Sequence, residues 1–230
     1  MRHVRIFLAA WIALFLAAPA QALDARKPAA VGPAPQVEAG KAKIVPLAAL
    51  PPELKRVVED ELQRLRKTDG VLVQDLPGDE ALALKTLRQR VRPQAEVEGR
   101  SKSPLADLSR SALAGYRFHG IVPDGPTRSG PWSSFIRLYE RPDGVLVALH
   151  EWDFVADGGG VLSVQELMNA SVAGQPAQLV VRRPAAGDAV TELRWVARNR
   201  IFTLTAFEDV RSAAPGYGRD WLTAIAAAIR

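Results

Sequence analysis

Between Leu23 and Gly115 the chain has no Phe, Tyr or Trp, whereas from Tyr116 onward it has twelve. Aromatic side chains bury roughly 150–250 Å² each and dominate cores. The main core of this 230-residue chain is therefore expected in a domain spanning 114–230. Lysine divides the same way: the later part has none after Lys102 and is cationic through arginine alone. The chain has no cysteine, which excludes disulfides, thiol catalysis, thiolate-held metals and iron–sulfur clusters.

The first 22 residues set the expected compartment. Met1-Arg-His-Val-Arg5 is a basic head, Ile6 to Ala18 an apolar run, and Ala20-Gln-Ala22 places small residues where a signal peptidase reads them. The run is shorter than the ~20 apolar residues that cross a bilayer. The expectation is a secretory signal over 1–22, cleaved after Ala22. The mature chain Leu23–Arg230 would then act in a bacterial periplasm with no membrane span. The formal charge of +5 loses Arg2 and Arg5 with the signal. An excess of about +3 spread over 208 residues argues against a nucleic-acid partner.

Residues 23–49 are rich in Pro, Ala, Gly and Lys, as in a flexible arm. Residues 50–113 read as a helical accessory segment. Pro51-Pro52-Glu53 opens a helix with Leu54, Val57, Val58, Leu62 and Leu65 on one face, and Asp69-Gly70 ends it. Val71 to Val73 could form a short strand, Asp79 caps a second helix reaching about Val91, and Ser103-Pro104 starts a third carrying Leu105, Leu108 and Ala112.

Beyond residue 114 short runs of aromatic and β-branched residues alternate with turns such as Arg141-Pro-Asp-Gly144 and Gly174-Gln-Pro176. Asp220 caps a last helix with Trp221, Leu222, Ile225 and Ile229 in one stripe. The fold class expected is α+β: an antiparallel sheet of about six strands covered by the C-terminal helix, preceded by the small helical segment.

Histidine is scarce, so catalytic and metal readings centre on His119 and His150. On a strand, His150 and Trp152 face one way while Glu151 and Asp153 face the other. His150-Glu-Trp-Asp153 is then not a cluster, and two histidines fall short of a zinc site. Glu151 and Asp153 share a face at a separation that glycosidases use, a pairing strands present routinely. There is no Gly-x-Ser-x-Gly elbow. A hydrolase would have to join His150 or His119 to Ser133 or a carboxylate. Asp157-Gly-Gly-Gly160 has neither calcium-loop nor phosphate-loop ligands. Asn169-Ala-Ser171 is a glycosylation sequon. No catalytic set, metal or cofactor is assigned. The ligand or partner candidates are Trp132, His150, Trp152 and Trp221, as aromatic and polar groups that could line a groove between sheet and helix.

Several segments from Phe135 to Arg230 are similar to the sheet-and-helix extracytoplasmic domains of periplasmic lipoprotein-carrier and sigma-regulatory proteins. They are the hairpin at Pro-Asp-Gly144, Val172-Ala-Gly-Gln-Pro-Ala-Gln-Leu179, Thr191-Glu-Leu-Arg-Trp195, Ile201-Phe-Thr-Leu204 and the Ala-rich closing helix. The resemblance implies a domain that binds an acyl chain, a peptide or a partner protein without catalysis. The function expected is a non-catalytic periplasmic binding or accessory protein for an apolar ligand, peptide or envelope protein. The competing classes are the hydrolase above and a structural cell-envelope protein that interacts through its helical segment.

Overall fold

A computed structural model describes residues 38–68, 70–124 and 129–230; the expected signal and most of the expected arm lie outside them. In chain order the strands are β1 (Ala42–Val45), β2 (Arg66–Thr68), β3 (Val71–Leu76), β4 (Arg117–Asp124), β5 (Ser134–Glu140), β6 (Leu146–Asp153), β7 (Val161–Val164), β8 (Ala170–Val172), β9 (Gln175–Pro184), β10 (Val190–Ala197) and β11 (Arg200–Ala206). The helices are α1 (Pro52–Arg64), α2 (Gly78–Lys85), α3 (Gln94–Glu98) and α4 (Arg219–Ala227).

The protein is α+β, but its sheet is larger than expected. Nine strands run in the order β2-β3-β9-β10-β11-β6-β5-β4, with β8 added alongside β9. The sheet is mixed, not antiparallel throughout, because β3 pairs parallel with β9 through Leu72↔Val180 and Val73↔Val181. A six-stranded antiparallel sheet is thus corrected to a nine-stranded mixed one. Residues 50–113 contribute two of its strands, so the sheet crosses the boundary expected near residue 113. A second, two-stranded sheet joins β1 to β7 in parallel.

Alternation along the strands defines two sheet faces. Leu179, Leu193 and Leu204 lie on the first face, where α4 sets Leu222, Ile225 and Ala226 into one core cluster with them. Trp221 and Ile229 pack at its margin. At roughly 1.5–3 kcal/mol per fully buried aliphatic side chain, Leu222 and Ile225 anchor the helix. Pro52 occupies the first turn of α1, where its missing N–H costs nothing. Leu54 and Val58 of α1 pack on Val45, Leu162 and Val164 of the small sheet. Val57, expected on that stripe, is 52% exposed. Leu84 of α2 and Leu87 cover Ile136, Leu138 and Ala148 on the second face.

The third helix expected from Ser103 is absent. Residues 103–111 cross the first face as a loop, and only Ala112–Gly115 form a short 3₁₀ turn. The loop's backbone finds partners elsewhere. Glu151 accepts from the Ala106 N–H at 2.9 Å, Arg200 donates to the Pro104 carbonyl, and Asp107 exchanges backbone bonds with Arg230. Two leucines at helical spacing are thus buried without a helix, Leu108 in the main cluster and Leu105 against Trp132 and Phe135. The second expected helix stops at Lys85 and continues as a 3₁₀ turn over Leu87–Arg90. Its N-cap is Pro77, and that of α4 is Gly218, with Asp79 and Asp220 inside the first turns.

At the edge strand β4 a bulge falls at Gly120, with φ 136°. A Cβ there would sit 2.9 Å from the Arg92 carbonyl oxygen. Glycine lets Arg92 bond Ile121 across this edge at 2.7 and 3.0 Å, which covers backbone groups that would otherwise invite strand addition.

Candidate functional site

Trp132 is 2% exposed and packs among Val97, Ile121 and Phe135, with the Arg92 guanidinium 5.4 Å from its ring centroid. Trp221 is half-buried. Its Nε1 donates to the Tyr116 hydroxyl at 3.0 Å and its ring meets Tyr217 edge-on at 5.5 Å. Between these rings lies Arg141, with no exposed side-chain surface, 3.6 Å from the Tyr217 centroid and 4.9 Å from that of Trp221. Burial opposes the Arg141 charge, but hydrogen bonds to Asp143 and Glu208 outweigh it and raise its pKa. Trp132 and Trp221 thus sit in packed surroundings.

His150 and Trp152 share the second face, as alternation expects. The Ser134 hydroxyl lies 2.7 Å from His150 Nε2, and the Asp124 carboxylate is 3.7 Å from the same nitrogen. In a hydrolytic triad the carboxylate bonds the opposite ring nitrogen and fixes the tautomer. This serine and this acid instead crowd one nitrogen. Burial lowers the His150 pKa, against the opposing effect of Asp124. Ser133 turns away and donates to Asp157 at 2.7 Å, and Trp152 Nε1 donates to the same carboxylate oxygen at 2.8 Å. Lys102 completes the set at 2.9 Å. Burial works to raise the Asp157 pKa, but these donors outweigh it and lower it. His119 bonds Glu140 at 2.9 Å.

The carboxylates on the other side of β6 have structural partners. Glu151 is 1% exposed and meets Arg137 at 2.8 Å and Arg200 at 2.9 Å. Asp153 accepts from Ser103, Asn199 and the Ala156 N–H. Asn169 of the sequon spends its side chain bridging Gly70 and both backbone groups of Leu179. Among the described residues no three His, Asp or Glu side chains stand close enough to hold a metal ion, and no helix is long and apolar enough to cross a membrane.

A concavity lies where none of the candidate residues points. A groove of about 210 Å³ runs between β1 and the end of β10. Ile44, Met168, Pro176, Trp195 and Val196 supply its apolar surface, and Lys43, Arg194 and Arg198 its charge. No carboxylate lines it. Trp195 is stacked on Phe202 at 5.1 Å, so its ring is held in place. Arg194 bonds Glu192 at 2.8 Å, and burial lowers its pKa despite that partner. Lys43 and Arg198 make no ion pair with a described residue. Arg198 sits in the two-residue turn between β10 and β11 with φ 56°, a left-handed conformation that costs an ordinary residue roughly 1–2 kcal/mol. Glycine or asparagine would fit there more easily; arginine instead puts a cation on the groove rim.

Deeper on the second face, beneath α1, Gln74 bonds Glu61 at 2.8 Å, while Arg182 reaches Glu80 at 2.6 Å and Glu192 at 3.3 Å. A void of about 20 Å³ beside this network is lined by Glu61, Gln178, Glu192 and Arg194, room for one water among polar partners. The groove was hard to find by sequence because β1 and β10 are 150 residues apart. The available signal was local: Arg194 and Arg198 flank an apolar strand end, and Arg198 stands at a turn position that favours asparagine or glycine. Compared with protein-family models, curated proteins and solved structures, the chain matches none.

Proposed function

We propose that the protein is a non-catalytic binding protein of the periplasm, and that its site is the groove between β1 and β10. Its ligand combines an apolar segment with negative charge. The observation that carries this reading is the lining itself: Lys43 and Arg198 with no carboxylate among the lining residues, and apolar walls beside the buried Trp195. A bound anion pairs with Lys43 and Arg198, while the apolar part removes Ile44, 43% exposed, from water. The first 22 residues support the compartment: the basic head, apolar run and Ala-x-Ala ending form the pattern of a cleaved signal.

Methyl NMR tests the site with three probes: decanoate, an acidic hexapeptide and decyltrimethylammonium. The anionic probes should move the Ile44, Met168 and Val196 methyls and the cation should not. Equal response to the cation, or no response at these methyls, refutes the reading. A second reading rests on the 2.7 Å contact of Ser134 with His150, the pair a serine hydrolase would use. A fluorophosphonate adduct on Ser134 that disappears in His150→Ala would replace binding by catalysis.

A further inference from the structure

Resting on that binding reading, we propose that the groove's occupant is an extended acidic peptide, seated as an added strand along the free edge of β1. The groove is walled by residues 42–44, with Ser163 of β7 beside them, on one side and by 194–196 on the other. Consecutive lining marks a strand exposed along its backbone, since side chains alone would contribute every second residue.

The backbone bookkeeping agrees. In the parallel ladder with β7, the Val161 N–H donates to the Lys41 carbonyl, so Lys41, Lys43 and Val45 turn toward β7. Ala42 and Ile44 then turn both N–H and C=O away from it, and both residues are exposed. Across the groove, β10 pairs with β9 only as far as Trp195↔Ala177. The two-residue turn that follows makes Ala197 bond Arg200, so the Val196 carbonyl faces the β9 side. The residue opposite is Pro176, which has no N–H to give. One wall thus offers two donors and two acceptors, and on the other Pro176 gives the Val196 carbonyl no backbone N–H.

An alkyl chain could use none of the β1 groups; a peptide backbone laid along β1 pairs with them. The four residues of β1 span about 13 Å, so the seat fits about four peptide residues. Lys43 and Arg198, cations without carboxylate partners among the described residues, select acidic side chains, and Ile44, Met168 and Pro176 select apolar ones between them.

The test is fluorescence anisotropy with a labelled hexapeptide of alternating valine and glutamate. Two analogues carry N-methyl groups on one or the other alternate set of amides, leaving charge unchanged. The parent peptide should bind, and N-methylation of one set should weaken it at least tenfold. Lys43→Glu and Arg198→Asn should each weaken it several-fold, and Arg198→Asn should melt no lower than the parent protein, since asparagine suits the turn. If decanoate shifts the Ile44 methyl but the peptide does not bind, or if both N-methylated peptides bind as well as the parent, the peptide assignment is overturned and the groove reading stands. If neither decanoate nor peptide binds, both fall.

Discussion

Replacing Arg141 with methionine tests the idea that one buried cation joins three parts of the chain. Its guanidinium bonds Asp143 within the β5–β6 turn at 2.7 Å through two nitrogens and meets Glu208, just after β11. It also stacks under Tyr217, just before α4, and beside Trp221 on that helix. Removing one partner of a buried ion pair costs about 3–5 kcal/mol. The lower end applies because the Asp143 side chain keeps 36% of its surface and can rehydrate, and because methionine refills part of the arginine stem's volume. The expected loss is about 3 kcal/mol, or a fall in melting temperature of about 6–12 °C for a folded body of this size. Urea unfolding followed by circular dichroism measures it. Adding Asp143→Asn and Glu208→Gln to Arg141→Met should recover a part of the loss, because the two acids then no longer need a cation. A midpoint within about 0.5 kcal/mol of the parent for the single variant, or no recovery in the triple, would refute the argument.

Trp221→Ala removes the edge contact with Tyr217 and the bond to Tyr116, and should cost about 3 kcal/mol in denaturant melts, the lower end for a large aromatic because the ring is only half-buried. Asn169→Ala leaves the backbone N–H and C=O of Leu179 without their side-chain partners; a loss of about 2 kcal/mol is expected, while Asn169→Asp, which keeps the acceptor, should lose less. For His150 the sign follows from its depressed pKa. The unfolded chain takes up a proton near pH 6.5 and the folded one only lower, so stability holds above that pH and falls on acidification through it. Melting temperatures from pH 8 to pH 5 should show this slope, and His150→Gln should flatten it.

What was legible in the sequence came from local alternation. The split of His150 and Trp152 from Glu151 and Asp153 across β6 followed from period two, and the stripe of α4 from the helical period. The parallel pairing of β3 with β9 left no local trace, because a parallel register is set between strands about 108 residues apart. Weighting aromatics also favoured the later half. Residues 50–113 contribute a purely aliphatic share of the core, with Val58, Leu72, Leu87 and Val97 at most 1% exposed. The helix expected from Ser103 rested on Leu105, Leu108 and Ala112, but the two leucines are buried along a loop and Ala112 opens a 3₁₀ turn. Glu151 and Arg200, distant in sequence, then satisfied the loop backbone. As for the site, Ser133 was paired with a histidine on composition; the register that puts Ser134 opposite Trp152 also puts Ser134, not Ser133, on the histidine's face.

The join between β3 and β9 also fixes the order in which the molecule can be assembled. Leu72 waits for Val180, and closing so long a loop costs entropy that only the finished sheet returns. A nascent chain that has emerged as far as α3 has made β2 and β3 but has nothing to lay them against. Its leucines stay wet until β9 arrives, and the first face lacks its helical cover until α4 is made. Closure of the sheet is therefore a late event in the synthesis of this chain.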